Sequence, residues 1–278
     1  MFELISFLIA LIGSILASYY DLKTTEIPDY LPIIMIISGI LINFLDFLFT
    51  KAAENLILSL FNGIFLSFIG FAMYFAGQWG AGDAFLLASI GFLIPKNFFL
   101  KEILPFPFDF IVNLFFLGSA YMIIYSIIYV IRNEKAKKCL REEFSKFFRP
   151  LLILLLVLFP LSLIFSLFFL NQVNLKVMLL TIALTYSIIL IWVFSKGVEK
   201  SFIQKIPVSK LKVGDVLLES RRWDGISERE VEKIRRRRKY VYIKSGICFA
   251  PAFLLSLLFT MFCGNSILLL ITILSSLI

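Results

Sequence analysis

The chain has 278 residues, of which 60% are hydrophobic, 32 are Phe and only 17% are charged, with a net charge of +8 and a mean hydropathy of +0.95. Water-soluble domains are about half apolar and about a quarter charged, so this composition excludes a soluble fold. The absence of histidine excludes Ser/His/Asp or Cys/His catalysis and any imidazole base or metal ligand. The three cysteines, Cys139, Cys248 and Cys263, form no CxxC pair, so nothing supports a zinc ribbon or a redox dithiol. Carboxylates are the main acid–base chemistry that remains.

Apolar runs long enough to cross a hydrocarbon core about 30 Å thick recur along the chain. They predict spans near 2–20, 30–50, 55–77, 83–100, 108–131, 150–170 and 177–195, then a last run from about 247 to the C-terminus, interrupted at Gly264-Asn265. The first run has Glu3 but no basic segment ahead of it, and it continues straight into Asp21, so it reads as a retained helix and not as a cleavable signal. The spans at 150–170 and 177–195 are joined by the polar turn Asn171-Gln172-Val173-Asn174. The last run reads as one kinked helix or as a helix with a short re-entrant piece. This pattern predicts eight spans.

The basic residues orient the bundle. Residues 132–149 hold seven Lys or Arg against three Glu, and residues 196–245 hold fifteen against seven acids. With Lys23, 23 of the 27 basic residues fall on one side, leaving Lys51, Lys96, Lys101 and Lys176 in the alternate loops. The positive-inside rule makes the basic side cytoplasmic and the N-terminus external. Residues 196–245 are the one stretch polar and long enough to fold in water. A hairpin is expected over Val208–Leu218, a helix opening on the capping-box pattern Ser227–Glu230 with Val231 and Ile234 inward, and a strand at Tyr240–Ile243. The Arg235–Lys239 run suits a helix C-terminus and anionic headgroups, and nucleic acid is not expected as a partner. The predicted fold class is an all-α polytopic membrane protein of about eight transmembrane helices, with a small cytoplasmic α+β domain before the last helix. It divides into a transmembrane core at 1–131, a basic cytoplasmic loop at 132–149, an additional transmembrane hairpin at 150–195, the α+β domain at 196–245 and a C-terminal transmembrane segment at 246–278.

Two short segments carry the candidate chemistry. Tyr20-Asp21-Leu-Lys23-Thr-Thr-Glu26-Ile-Pro28-Asp29 lies at the cytoplasmic end of the first span, and Gly80-Ala-Gly82-Asp83 at the cytoplasmic start of the fourth. The charge-derived topology thus sets Asp21 and Asp83 at one membrane depth. Two carboxylates in a partly dry site tend to share one proton. The ionised one can take a proton from water while the protonated one polarises a peptide carbonyl, with no metal and no cofactor. Gly80 and Gly82 would let an extended substrate backbone approach Asp83. Glu26 and Asp29 form an acidic patch on a basic face, suited to a substrate with Lys or Arg before the cut. Asn43 and Asp46 read as interhelical hydrogen-bonding residues, and Glu3 and Asp109 as polar marks near the external boundary.

These segments resemble the archaeal branch of the type IV prepilin peptidases, the preflagellin and prepilin peptidases of the GxGD membrane aspartyl protease class. Asp21-Leu-Lys23 with Ile27-Pro28-Asp29 is similar to the family's first motif and Gly80-Ala-Gly82-Asp83 to its second. The likeness extends over residues 1 to about 130 and returns in the small domain and in Lys244 to Phe253. It implies that Asp21 and Asp83 are the catalytic dyad, supported by Gly80 and Gly82, with Lys23, Glu26, Pro28, Asp29 and Pro251 as candidate substrate contacts. It further implies a membrane aspartyl endopeptidase that removes the short basic leader from pilin-like or archaeal flagellin precursors at the cytoplasmic face of the cell membrane. Family members often have six spans, so the 150–195 hairpin reads as an insertion or extension. The bacterial members' cysteine-rich loop is absent and leader methylation is not expected. Presenilin-like proteases share Tyr-Asp, GxGD and Pro-Ala elements, but their aspartate helices are consecutive, whereas two spans intervene here. A proton- or ion-coupled carrier using intramembrane carboxylates is the alternative. Against it, both aspartates lie at one interface and no inverted repeat is visible. The expected partners are leader-bearing precursors and membrane lipid.

Overall fold

The computed structural model describes residues 1–100, 104–170 and 175–277. The Asn171–Asn174 turn and Lys101 lie outside these residues. Among the described residues, six helices are long and apolar enough to cross a membrane: α1 (Phe2–Thr24), α2 (Tyr30–Thr50), α3 (Glu54–Phe75), α5 (Phe106–Arg132), α6 (Glu134–Leu170) and α7 (Leu175–Phe202). A seventh crossing is made if α9 (Ala250–Cys263) and α10 (Ser266–Leu277), bent by 54° at their junction, count as one span. The protein is therefore a polytopic, mostly helical membrane protein with one small sheet.

The predicted span at 83–100 is a much shorter helix, α4 (Ala81–Leu93). Thirteen residues rise only about 20 Å, less than the hydrocarbon thickness. Pro95 explains the stop, because a residue before proline is driven out of the α region, and Ile94 is extended. A helix ending inside a bundle must find donors for its last carbonyls. α2 and α3 supply them. Asn62 donates to the Ile94 and Pro95 carbonyls at 2.9 and 2.8 Å, and Ser59 and Asn43 both donate to the Phe92 carbonyl, at 2.5 and 3.3 Å. Protein and not lipid surrounds α4: eight of its residues are buried, and α1, α2, α3 and α9 pack on it.

Asn43 and Asp46 bond between helices as expected, Asp46 accepting from Asn55 of α3 at 2.7 Å. Asp109 departs from its reading as a boundary mark: it is buried and accepts from Asn265 at 2.7 Å. With Asn113, which donates to Thr260 and Gly264 and accepts from the Ser266 amide, it holds the α9–α10 break. Glu3 accepts from Asn55 and pairs with Lys96.

The described residues form two compact units, one of Met1–Ile124 with Lys205–Ile278, the other of Tyr125–Gln204. In the second unit the predicted basic loop at 132–149 is helical and continuous with the span that follows, making α6 about 55 Å long. Ala136 and Cys139 are buried on one face of this stretch, and Lys200 of α7 reaches Glu142 and Glu143 at 2.9 and 3.3 Å. In the first unit, β1 (Ile203–Pro207, which enters this unit at Lys205), β2 (Val216–Leu217), β3 (Tyr240–Lys244) and α8 (Glu228–Arg237) build the α+β domain. The strand order is β1-β3-β2, with Val216 opposite Lys244 in an antiparallel pair. The expected Val208–Leu218 hairpin is thus not formed. Residues 208–210 make a 3₁₀ turn instead, because both outer strands satisfy their backbone groups on β3. The Ser227/Glu230 capping box is present, and Val231 and Ile234 turn inward onto Val208, Leu211 and Val241.

Candidate active site

α1 delivers Asp21 by helical period. Its buried residues are Phe7 near the start and a series, Ser6, Ala10, Gly13, Ser14, Ala17, Ser18 and Asp21, at three- and four-residue spacing, so Asp21 ends a stripe that is small from Ala10 onward. That stripe lets neighbouring helices approach closely. Asp21 is only 6% exposed. Its Oδ2 accepts the Ala250 amide at 2.8 Å, and its own carbonyl accepts the Cys248 thiol at 3.1 Å. Ala250 is the first residue of α9, where amides lack intrahelical acceptors and the macrodipole favours an anion. Pro251 comes next and has no amide to satisfy, so the Asp21 carboxylate serves as the cap of α9 from across the bundle.

Asp83 is set by the start of α4. Gly80 is the N-cap residue, and its amide donates to Asp83 Oδ2 at 3.2 Å. Asp83 is half-buried and close enough to Asp21 to feel its charge. Trp79, one residue before the glycines, packs its ring against Phe249 and Phe253 at 5.7 and 5.6 Å. The turn that carries Asp83 and the helix end that holds Asp21 are thereby packed on each other. Asp21, which takes a helix N-terminus, and Asp83, which takes one loop amide, thus stand in unlike surroundings, and such a pair can divide base and acid roles between two carboxylates.

The other predicted residues separate. A Cβ on Gly82 would come 3.0 Å from the Ile27 side chain. Gly82 therefore closes the first motif's loop onto the second, and its bare face is filled by Ile27 rather than left for a substrate backbone. Glu26 is exposed, with Oε1 3.1 Å from where a Cβ on Gly214 of the small domain would stand. Asp29 is exposed at the N-cap position of α2, making no side-chain cap bond. Pro28 is half-buried beside it. Pro251 lies one residue from the amide that binds Asp21. Lys23 is not brought to the aspartates: its ammonium lies 3.3 Å from the Tyr19 hydroxyl and over that ring. Sequence reasoning missed Ala250, Cys248 and Trp79. The first acts through its backbone and left no side-chain signal, but Trp79 stands directly before the glycine motif.

Residues 8–127 of the chain align with a known family across both aspartate motifs. They match the type IV leader peptidase family. The chain is 35% identical over 146 residues to a preflagellin peptidase of Methanocaldococcus jannaschii, covering 48% of this chain and 62% of that protein. It is 31% identical over 94 residues to a preflagellin peptidase of Methanococcus maripaludis, covering 34% of this chain and 40% of that protein. The chain thus spans less than two thirds of the length of these relatives. No solved structure matches. The family match takes in Asp21, Glu26 and Asp83 but ends before α6, the small domain and α9, so the backbone that grips Asp21 lies outside it.

Proposed function

We propose that the protein is a membrane aspartyl endopeptidase that removes short basic leaders from type IV pilin-like or archaeal flagellin precursors at the cytoplasmic membrane face. The observation that carries this reading is the packing of the two aspartate motifs on one another: Ile27 closes on Gly82 beside Asp83, and Trp79 packs on Phe249 beside the Ala250 amide that Asp21 holds. Asp21, held by the Ala250 amide, takes a proton from water. Asp83 gives its proton to the scissile carbonyl oxygen as the water oxygen attacks the carbon. When the tetrahedral intermediate collapses, the C–N bond breaks, Asp21 passes its new proton to the leaving nitrogen and Asp83 regains a proton from the intermediate's hydroxyl. The test is purified protein mixed with candidate precursors, leader loss being read by mass. Intact precursor mass with every candidate overturns the reading.

Substrate choice follows from the exposed acids. Glu26 and Asp29 attract Lys or Arg a few residues before the cut, and the substrate's apolar helix stays in the bilayer. Charges this exposed act through a field screened over about 8 Å at physiological salt. Glu26→Lys with Asp29→Lys is expected to slow cleavage of a basic-leader precursor about tenfold at low salt and less at high salt, while an acidic-leader precursor gains. Unchanged rates with both precursors remove the acidic patch and leave the dyad standing.

The proposed orientation counts the short α4 with its continuation to Lys96 as a crossing, since Lys96 pairs with Glu3 and Glu54 at the starts of α1 and α3. It places Met1 outside and residues 132–149 and 196–245 in the cytoplasm of a cell-membrane protein. The exposed arginines of α8 then meet anionic headgroups, and no nucleic acid is involved. Accessibility labelling of single cysteines is expected to mark residues 137 and 233 from the cytoplasm and residue 1 from outside. Finding 137 and 233 on opposite sides breaks this topology.

A further inference from the structure

Besides the start of α9 and the approach of Gly214 to Glu26, the small domain touches the end of α3 that leads into the Asp83 turn. α3 ends in a Schellman turn, the Gln78 amide bonding to the Met73 carbonyl and the Gly77 amide to Tyr74, with Gly77 at φ +73°. Three residues later comes Gly80, whose amide holds Asp83. The Gly77 carbonyl accepts the Trp223 indole N–H at 3.0 Å, and a Cβ on Gly77 would strike the Arg221 carbonyl. Around this bond the loop grips the end of α3: Tyr74 donates to Asp224 at 2.8 Å, and Arg222 lies over the Tyr74 and Phe75 rings at 5.6 and 5.0 Å. The loop is braced from within the small domain. Lys244 sits 4.4 Å over the Trp223 ring and donates to the Ser220 carbonyl at 2.8 Å.

Lys244 ends β3, and six residues further on the same segment reaches Ala250 and Asp21. One small domain therefore holds both halves of the site, the Asp83 turn through Trp223 and the Asp21 carboxylate through the chain leaving β3. None of these contacts meets the proposed substrate path at Glu26 and Asp29. From this arrangement we infer that Trp223 is a positioning residue, fixing the Gly77–Gly80 turn so that Asp83 stands in register with Asp21. The inference rests on the peptidase reading for its effect on rate, but its geometric part can be read without any substrate.

The experiment uses full-length purified Trp223→Phe and Trp223→Ala, with Trp192→Phe as control, and two readouts. The first is amide hydrogen exchange. Loss of the indole donor is expected to speed exchange about fivefold to tenfold across residues 77–83, the scale of one lost hydrogen bond, while α8 stays as protected as in the wild type. The second is leader cleavage. The maximal rate is expected to fall about tenfold in Trp223→Phe and further in Trp223→Ala, with KM within about twofold of wild type, because Asp83 is displaced and substrate contacts are not. Unchanged exchange at 77–83 overturns the inference. So does equal loosening of α8, which makes Trp223 merely structural, and so does a raised KM at unchanged maximal rate, which makes it a substrate contact. If exchange at 77–83 rises as expected but the wild-type protein cuts no precursor, the positioning inference stands and the peptidase reading falls.

Discussion

On the proposed peptidase reading, Asp21→Asn and Asp83→Asn are each expected to reduce leader removal by about 10²–10⁴-fold or more, with the double variant no worse than either alone. Proton transfer by a positioned acid or base supplies factors of this size, and groups that act as a unit are not additive when removed. Asparagine keeps the shape of aspartate but cannot exchange the proton that water activation needs. The two single variants should differ in stability. Asp21→Asn can still turn its amide oxygen to the Ala250 N–H, but it replaces an anion by a neutral dipole at the end of α9. Asp83→Asn keeps an acceptor for Gly80 and leaves the α4 cap in place. Both proteins are expected to purify from membranes as folded monodisperse species, which separates lost chemistry from lost fold. Asp46→Asn, which alters the bond to Asn55 far along α2, keeps most activity. Wild-type turnover by either dyad variant, read as product mass with protein free of host peptidase, removes that aspartate from the mechanism.

That the two aspartate motifs come together was legible because two sequence signals agree on it. The two motifs carry the aspartates, and the distribution of Lys and Arg puts both at one membrane face. The small-residue stripe of α1 that points Asp21 inward emerged only from the burial of its residues in the structure. What the sequence could not show is how the aspartates are held. The Asp21 partner is a backbone amide 229 residues away, and any residue except proline supplies one. The end of α4 was legible in Pro95, but an apolar run extending past it gave the longer span. The 132–149 segment was obscured by its charge. Ala136, Cys139, Leu140, Glu143 and Phe147 recur at helical spacing, and each is at least half-buried. The strand pairing was lost for a different reason. β1 and β2 are close in sequence and look like a hairpin, while β3, more than twenty residues on, takes both edges.

A short helix buried in a membrane protein has to be made possible by its neighbours, and the largest effect on folding is expected where α3 meets α4. A Cβ on Gly91 would lie 2.7 Å from the Asn62 carbonyl oxygen and 2.9 Å from Gly63 Cα, and one on Gly63 would strike the Phe92 ring. These obstacles are largely backbone, which cannot rotate away as a side chain would. Gly91→Val should therefore prevent the close pairing of α3 with α4 and leave no monodisperse protein after extraction from the membrane. Asn62→Leu is the milder and more informative variant. It keeps the volume but strips donors from the Ile94 and Pro95 carbonyls at the buried end of α4. Hydrogen bonds between membrane helices average only about 0.6 kcal/mol, with a maximum near 1.7 kcal/mol, because the unfolded state in lipid also finds partners. Orphaning a buried acceptor costs more, about 1–3 kcal/mol each. The second figure should govern here, because these carbonyls have left the helix ladder and are enclosed by protein. The expected loss is thus about 2–6 kcal/mol, read as a lower melting temperature in detergent, with Asn62→Ser, which keeps one donor, between Leu and wild type. A melting temperature unchanged by Asn62→Leu means that α4 ends without help from α3, and the account of how the fold carries Asp83 on so short a helix fails.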